Sequence, residues 1–357
     1  MLTEDQLEEK KAVLETLSNK FPNIIYKPAS GRNGLFHYSS ISTLFSMLEN
    51  DSFRVNGTRF SNDSSEERVF PLECTDKHPL NDDNYMFCLS ENGDCLSQWR
   101  GYCYNGGAAM KLKLSEIQDY SVLHADFDTT GEYEIVKNVP LPICYVTVPK
   151  MRRDRLENAQ IKEYQRKLVD IWNQLNRTGL PMESLVPQFK NDKFQEEKEL
   201  RLLFENYDNE LAQCIRFHTL KNCVKVPYMV VKMGDVAKKY KRCGFDVSQF
   251  EGDDGRNRLL KEYVLEGKNI RIPQGSDQAS VYYRMERIIK KFNAENDGVD
   301  LILECEGHLP VEEIIVAPTY DRERKAEQIQ RYCWSKYWLR NVKINYSDIP
   351  YIPPSEL

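Results

Sequence analysis

The sequence predicts an α+β fold, with a central strand-rich core and helices placed irregularly around it. Short runs dense in apolar and aromatic residues recur along the chain and are typical of buried strands, as in "YMFCLS" (85–90) and "YMVVKM" (228–233). Amphipathic helical stripes are few and unevenly spaced, so no regular alternation of strands and helices is predicted. Neither G-x-G-x-x-G nor G-x-x-x-x-G-K-[ST] occurs, so the usual glycine-rich phosphate loops are not visible.

The first helix and the strands follow from local pattern. Residues 3 to 19 predict a helix, because Leu7, Leu14 and Leu17 fall on one stripe. "LFHYSS" predicts a strand that leads into a helix with a serine N-cap. The remaining strands predicted from apolar density are, in order, "FRVNG", "YMFCLS", "AAMKLKLS", "ICYVTV", "YMVVKM" and "EEIIVAP".

Longer helices and a polar insert complete the predicted organisation. Apolar stripes predict helices at 155–176 and 322–338. Residues 235–300 are more polar and glycine-rich, and they predict an irregular helical insert. No internal repeat separates the chain into units, so we expect a single domain over 1–357 with residues 1–30 as an N-terminal helical extension.

Composition limits the function classes. The 357 residues carry a net charge of −6 and are 41% apolar, which predicts a sizeable core and weighs against a dedicated nucleic-acid coat. No apolar run approaches the roughly 18 residues of a membrane helix, and the N-terminus has no secretory h-region. The ten cysteines contain no C-x-x-C pair. We therefore expect free thiols in a reducing cytoplasm, no membrane and no metal site.

Several short stretches stand out together and carry the functional argument. They are "FHYSS" (36–40), "NDSSEE" (62–67), "FCLSENGDCLSQWRGY" (87–102), "FQEEKELR" (194–201) and "EEIIVAP" (312–318). In this order and spacing the sequence resembles the bacterial domain-of-unknown-function family numbered 2971, in which H-Y-[TS], N-D-x-x-E, F-x-x-S with W-x-x-Y, E-x-E-x-R and I-I-x-x-P recur. The resemblance covers most of the chain apart from the polar insert, and the family's name gives no activity.

A second, more distant resemblance supplies a mechanism. A histidine on the first strand, an aromatic and serine strand next, and a glutamate within E-x-E on a late strand are similar to the H-Y-E and R-S-E layouts of ADP-ribosyltransferases. The resemblance implies a split mixed β-sheet core of the ADP-ribosyltransferase type, surrounded by helices. It also implies that NAD lies across the split sheet rather than on a glycine-rich loop, which is compatible with the missing G-x-G-x-x-G motif.

The stretch "FQEEKELR" has two interpretations. With a period of two, Glu197, Glu199 and Arg201 share one strand face, opposite Leu200 and Leu202. With a period of 3.6, the same letters make a solvated helix in which Glu197 and Arg201 pair at i,i+4. The resemblance favours the strand, with its polar face directed into a cleft.

The resemblance also implies a role for each polar residue of this strand. Cleavage of the nicotinamide–ribose bond passes through an oxocarbenium-like transition state. Glu199 is expected to stabilise that cation, and Glu197 to accept the proton of the incoming nucleophile. His37 is expected to contact the adenosine ribose of NAD, and it is a candidate both for catalysis and for NAD binding. Arg201 is expected at the NAD phosphate, with an internal salt bridge as an equal alternative.

The third motif provides the other candidate NAD-binding residues. Ser90 ends its strand where a ligand can sit, although a serine there often caps the next turn. Trp99 and Tyr102 lie at i,i+3 on a short helix and can stack on nicotinamide or pack in the core, which we prefer for Trp99. Arg100 is a candidate phosphate contact. Tyr38 alternates to the face opposite His37 and is expected in the core.

Two basic stretches support a competing hypothesis. Residues 320–343 interleave lysines and arginines with tyrosines and tryptophans, and residues 150–155 add further basic side chains. Such a mixture can bind single-stranded nucleic acid, because basic side chains contact the phosphates and aromatic rings stack on the bases. An amphipathic helix with a charged outer face explains the same letters and is the preferred interpretation.

The sequence therefore predicts a cytoplasmic NAD-dependent ADP-ribosyltransferase that modifies a protein, RNA or DNA acceptor. A toxin or phage-defence effector with an antitoxin protein as partner is the expected setting, by analogy with known ADP-ribosyltransferase toxins. The alternatives are a nucleic-acid-binding or nuclease-like module without NAD chemistry, and a structural interaction domain.

Overall fold

The computed structural model describes most of the chain outside several loops. The described residues are 4–26, 34–58, 69–70, 84–103, 106–114, 118–147, 158–206, 209–219, 225–233 and 309–350. The predicted insert at 235–300, the motif at 62–67 and the basic residues at 150–155 lie outside these ranges.

The helices that the sequence predicted begin and end close to the predicted positions. The described helices are α1 (Glu4–Lys20), α2 (Ile41–Asn50), α3 (Leu96–Tyr102), α4 (Phe127–Thr130), α5 (Asn158–Asn176), α6 (Met182–Leu185) and α7 (Arg322–Ser335). Of these, α4 and α6 were not predicted. The Ser40 hydroxyl accepts a hydrogen bond from the amide of Thr43 and caps α2, as predicted. Helix α7 ends before residue 338, because the chain turns into a 3₁₀ helix at Tyr337–Leu339.

The strands include every stretch predicted from apolar density. They are β1 (Ile24–Ile25), β2 (Leu35–Ser40), β3 (Phe53–Gly57), β4 (Asn84–Ser90), β5 (Gly107–Leu112), β6 (Asp119–Leu123), β7 (Tyr133–Lys137), β8 (Leu141–Pro142), β9 (Cys144–Val146), β10 (Phe189–Asn191), β11 (Glu199–Glu205), β12 (Arg216–Thr219), β13 (Lys225–Met233), β14 (Val311–Val316) and β15 (Lys343–Tyr346). Strands β6, β7, β8, β10, β12 and β15 have no counterpart among the predicted strands.

A large mixed sheet forms the centre of the molecule, and it forks at β4. Its main path runs β15-β14-β5-β2-β4-β3-β13-β6-β7, and among the described strands of this path only β14 and β15 pair in parallel. Strand β11 pairs with β4 along the whole length of β4, from Glu199 opposite Ser90 to Glu205 opposite Asn84. Strand β2 pairs with β4 at Ser90, whereas β3 pairs with β4 only at its other end. The sheet is therefore split between β2 and β3.

A second, three-stranded sheet is joined to the first by one short segment. Its order is β1-β9-β10. Strand β8 pairs with β11 in the large sheet, whereas β9, which begins two residues later, pairs with β1 and β10. Residues 141–146 thus cross from one sheet to the other beside Glu199.

Burial follows this architecture. The largest apolar cluster packs α2 and α7 against the large sheet, through residues such as Leu44, Phe87 and Ile329. A second cluster packs the small sheet against α1 and α5, with Leu14 and Ile171 fully buried. The predicted N-terminal extension is therefore part of a packed core. Among the described residues, no helix combines the length and apolarity needed to cross a membrane.

Candidate functional site

The stretch "FQEEKELR" is half helix and half strand, so the predicted strand is correct only from Glu199 onward. Residues Asp192–Glu197 form a 3₁₀ helix, and the Asn191 side chain caps it by accepting a hydrogen bond from the amide of Lys193. Lys198 then adopts a left-handed conformation with φ of 45°, which turns the chain into β11. Glu197 and Glu199 therefore do not alternate along one strand. Glu197 lies on the 3₁₀ helix and Glu199 on β11, and a shared contact brings their carboxyl groups together.

Both glutamates contact one ammonium group. The Nζ atom of Lys190, on β10, lies 2.9 Å from Glu197 Oε2 and 2.7 Å from Glu199 Oε2. Arg201 Nε donates to Glu199 Oε1 at 2.6 Å, and its Nη1 donates to the carbonyl of Pro187 at 2.6 Å. We call Lys190, Glu197, Glu199 and Arg201 the four-charge cluster. It holds two negative and two positive side chains, and all of them are buried.

The electrostatics of the cluster keep Glu199 ionised. Burial by itself raises the pKa of this carboxyl group, but Arg201 and Lys190 lower it further, and the result is a pKa of about 2. Glu199 is therefore negatively charged at neutral pH although only 5% of its surface is exposed. The predicted salt-bridge alternative for Arg201 is the one that the structure shows.

The backbone of Glu199 is fixed by the segment that crosses between the sheets. Its amide donates to the hydroxyl of Tyr145 at 2.7 Å, and its carbonyl accepts from the amide of Ile143 at 3.0 Å. Across the strand pair, the hydroxyl of Ser90 donates to the carbonyl of Glu197 at 2.6 Å and accepts from the amide of Asn92. Ser90 is buried and shapes the turn, so it acts here as a capping residue.

His37 occupies the fork in the large sheet. Its Nδ1 atom lies 3.0 Å from the carbonyl of Cys88, a position of β4 between the pairings with β2 and β3, so Nδ1 carries the proton. The ring stacks on Phe87 with centroids 4.1 Å apart. Burial lowers the pKa of His37 to about 4, against a smaller opposing effect of the Cys88 carbonyl. The imidazole is therefore neutral at physiological pH, and Nε2 is a hydrogen-bond acceptor.

The aromatic residues of α3 divide into one core residue and one surface residue. Trp99 is buried, donates its indole N–H to Asp94 Oδ1 at 2.6 Å and packs edge-on against Tyr38. Tyr102 is 38% exposed, and burial together with nearby Cys88, Glu199 and Glu197 raises the pKa of its hydroxyl. Tyr102 therefore lies at the surface beside the four-charge cluster. The predicted core position of Tyr38 is confirmed.

Two residues of the site have no motif in the sequence. Lys190 stands alone in "QFKN" and Tyr145 in "ICYVTV", so neither is marked by a local pattern. The sequence offers no local signal for Lys190, because the strand that buries it has only three residues and follows from pairing with β9. Exposed Arg100 lies on α3 between Trp99 and Tyr102.

The basic region near the C-terminus follows the amphipathic interpretation. Helix α7 buries Ile329 and Cys333, and its exposed side chains alternate in sign, with Glu323 and Glu327 among the arginines. The described part of this helix therefore carries no uniformly basic face. Exposed rings do occur here, namely Tyr320, Trp334 and Tyr346.

Comparisons with known proteins leave the family open. No protein-family model matches the chain, no curated protein matches it, and no solved structure matches it. The resemblances to the family numbered 2971 and to ADP-ribosyltransferases therefore stay predictions. Within the described ranges, no group of three or more histidine, cysteine, aspartate or glutamate side chains is arranged to hold a metal ion.

Proposed function

We propose that the chain is an NAD-dependent ADP-ribosyltransferase that acts on a macromolecule, with the four-charge cluster and the fork of the large sheet as its site. One observation carries the proposal. Two separate elements bring Glu197 and Glu199 to the same ammonium group, beside the half-exposed ring of Tyr102. Two adjacent carboxylates beside an aromatic surface suit transfer from NAD, because one acid can stabilise the developing cation and the other can accept a proton.

Glu199 has the charge state that the proposed role needs. When the bond between nicotinamide and ribose breaks, its electron pair leaves with the nicotinamide and positive charge develops on the ribose. A carboxylate that stays ionised in a buried, low-dielectric site stabilises that charge more than one in water. The contacts of Glu199 with Arg201 and Lys190 hold it in place before the reaction, so no reorganisation is needed.

Glu197 and His37 supply the remaining polar functions. The acceptor nucleophile forms a bond to the anomeric carbon and loses a proton, and Glu197 is proposed to take that proton. The unprotonated Nε2 of His37 accepts a hydrogen bond from a ribose hydroxyl. Tyr102 provides the ring on which nicotinamide stacks, since Trp99 is enclosed in the core. Arg100, which is exposed on the same helix, is the phosphate contact in this proposal.

Labelled NAD tests the proposal directly. The full chain is incubated with NAD labelled in the adenylate part and a cell lysate, and the protein, RNA and DNA fractions are then separated. We expect label in one fraction with the wild-type chain and with Glu205→Gln, and none with Glu199→Gln. Absence of label in all fractions together with unchanged NAD, or equal labelling by the folded Glu199→Gln variant, would refute it.

The proposed biological setting is a toxin or phage-defence effector controlled by an antitoxin protein, and it rests on analogy alone. Growth arrest on expression of the wild-type chain, relieved by Glu199→Gln, is the expected result. A nucleic-acid-binding module is the second candidate, and the exposed rings of Tyr320, Trp334 and Tyr346 favour it. Steeply salt-dependent binding of single-stranded oligonucleotides without NAD turnover would support that candidate instead.

A further inference from the structure

Lys190 is the member of the four-charge cluster that joins its two sheets. It stands on β10 of the small sheet, opposite Tyr145 in the strand pairing, and reaches two carboxylates that belong to a 3₁₀ helix and to β11. Its side chain is almost entirely buried, with 4% of its surface exposed. A lysine in this position can fix both the location and the charge of the two acids.

The contacts of Lys190 make its positive charge important for the ionisation of Glu197 and Glu199. Glu197 Oε2 and Glu199 Oε2 both lie within hydrogen-bond distance of the same nitrogen atom, so the two acids are close to each other. Two buried carboxylates at such a separation do not both ionise unless a positive charge compensates them. Arg201 contacts Glu199 through Nε, so among the described contacts removal of Lys190 leaves two acids beside one guanidinium.

Other titratable groups around the cluster do not replace that charge. Tyr145 approaches from β9 and Tyr102 from α3, and burial raises the pKa of each hydroxyl, so both are neutral. The thiol of Cys88 lies on β4, directly opposite Arg201 in the strand pairing. None of these groups can carry a positive charge, so within the described contacts the ammonium of Lys190 and the guanidinium of Arg201 are the cations beside the two acids.

We infer that Lys190 is a positioning residue that keeps Glu197 and Glu199 ionised at the same time and directed toward one point. Without it, the two acids would share a proton and behave as a carboxyl dyad. The inference rests on the proposed function only for its catalytic consequence: a shared proton would occupy Glu197, the proposed base, at neutral pH.

Carboxyl titration tests the inference without any assay of activity. The full chain, labelled with ¹³C at the glutamate carboxyl carbons, is titrated by NMR as wild type, Lys190→Met and Lys10→Met. Glu197→Gln and Glu199→Gln assign the signals. We expect one of the two assigned carboxyl groups of Lys190→Met to titrate at least about one pH unit higher than in the wild type. Lys10→Met, which removes the other lysine that is buried among the described residues, should leave both signals unchanged.

A double variant keeps the test decisive if Lys190→Met folds poorly. Lys190→Met combined with Glu197→Gln again balances one carboxylate with one guanidinium, so it should recover most of the thermal stability that Lys190→Met loses. An unchanged titration in folded Lys190→Met, or a double variant no more stable than the single one, would overturn the inference.

Activity provides a separate readout. If the chain transfers ADP-ribose, we expect a change in the pH–rate profile. Its acid limb should lie at least about one pH unit higher in Lys190→Met than in the wild type, and should be unchanged in Lys190→Arg. A failed transferase assay with a shifted carboxyl titration would refute the proposed function and leave the role of Lys190 intact. An active enzyme whose pH profile does not change in Lys190→Met would refute the role of Lys190 alone.

Discussion

The two ends of strand β11 bury charge in different ways. At its C-terminal end, the carboxylate of Glu205 lies 3.4 Å from Lys10 Nζ, and both side chains are buried. Burial lowers the pKa of Lys10 in spite of the attraction of Glu205. At the N-terminal end, Glu199 is buried as well, yet Arg201 and Lys190 together hold its pKa at about 2. One opposite charge does not offset the desolvation of a buried ion here, whereas two do.

This difference separates a structural pair from a candidate reactive group. Lys10 and Glu205 connect α1 to β11 through the contact between their side chains. The four-charge cluster keeps an anion in a buried position close to the surface residue Tyr102. A stable buried anion is useful for chemistry that creates a cation. The comparison therefore predicts different outcomes when each end is changed.

The largest expected effect is on stability, through Arg201→Met. This change leaves two buried carboxylates facing one ammonium group and should lower the free energy of unfolding by about 3–5 kcal/mol. The control is Lys10→Met with Glu205→Leu, which replaces the whole pair by apolar groups and should change stability by less than about 1 kcal/mol. Urea denaturation measures both. Equal losses at the two ends would remove the distinction between them.

The second largest effect is expected on the rate of the proposed reaction. Glu199→Gln keeps the shape of the side chain and removes its charge, so the rate of ADP-ribose transfer should fall by about 100-fold or more, which is about 2.7 kcal/mol. NAD affinity should change little, because the charge acts mainly as the bond breaks. Single-turnover rates and calorimetry measure the two quantities.

Two further variants control that experiment. Glu205→Gln removes an equally buried charge from the other end of the strand and should keep the transfer rate. Glu197→Gln should reduce transfer to the acceptor more than slow hydrolysis of NAD, since its proposed partner is the nucleophile. Full transfer by a folded, NAD-binding Glu199→Gln variant would instead favour a purely structural cluster.

The two ends should also respond to different pH ranges. The pKa of Glu199 is about 2 in the folded chain against 4.5 for the ordinary group, so the unfolded chain takes up the proton first on acidification. Its stabilising contribution is complete above about pH 4.5 and is lost as the pH falls through about 2. The pKa of Lys10 is lowered from 10.5, so the charged lysine destabilises the fold until alkaline pH removes its proton.

Thermal melts over both ranges test this difference. Between about pH 5 and 2, the melting temperature of Glu199→Gln should fall less steeply than that of the wild type. Just below pH 10.5, the wild type should gain stability with rising pH relative to Lys10→Met. Parallel curves for wild type and variant in either range would contradict the assignment of that range.

The smallest expected effect concerns Tyr102. Stacking on an aromatic ring contributes about 0.5–1.5 kcal/mol, so Tyr102→Ala should weaken NAD binding by up to about tenfold, and Tyr102→Phe should leave it nearly unchanged. Trp99→Phe tests the alternative ring and should lower stability, because Trp99 is buried and its indole N–H is bonded to Asp94. A loss of affinity in Trp99→Phe but none in Tyr102→Ala would reverse the assignment of the stacking ring.

Sequence patterns predicted the large sheet well because its strands are dense in apolar residues. "FRVNG" corresponds to β3 and "LFHYSS" to β2 without a shift. The missed strands show the limit of this signal. Strand β12 is half polar and carries Phe217 on the surface, and β10 has only three residues. Their strand conformation follows from pairing with a neighbour, and a single sequence does not record that pairing.

The candidate site was predicted by residue type but not by geometry. Glu197, Glu199 and Arg201 do lie together, yet the backbone reverses at Lys198, which a period-two pattern cannot express. The cap at Asn191 was the local sign of a turn rather than a strand. Lys190 and Tyr145 were missed because their partners lie on other strands, and only the three-dimensional pairing brings them to the glutamates.

The four-charge cluster and its supporting hydrogen bonds join parts of the chain that are far apart in sequence. Tyr145 and Glu199 are 54 positions apart, and Ser90 and Glu197 are 107 positions apart. Contacts this distant form only after the cost of loop closure has been met. Because Lys190 stands on the small sheet and Glu199 on the large one, the two carboxylates are held in place only where both sheets have formed and packed together. The proposed chemistry therefore requires both sheets, and neither sheet alone carries a complete site.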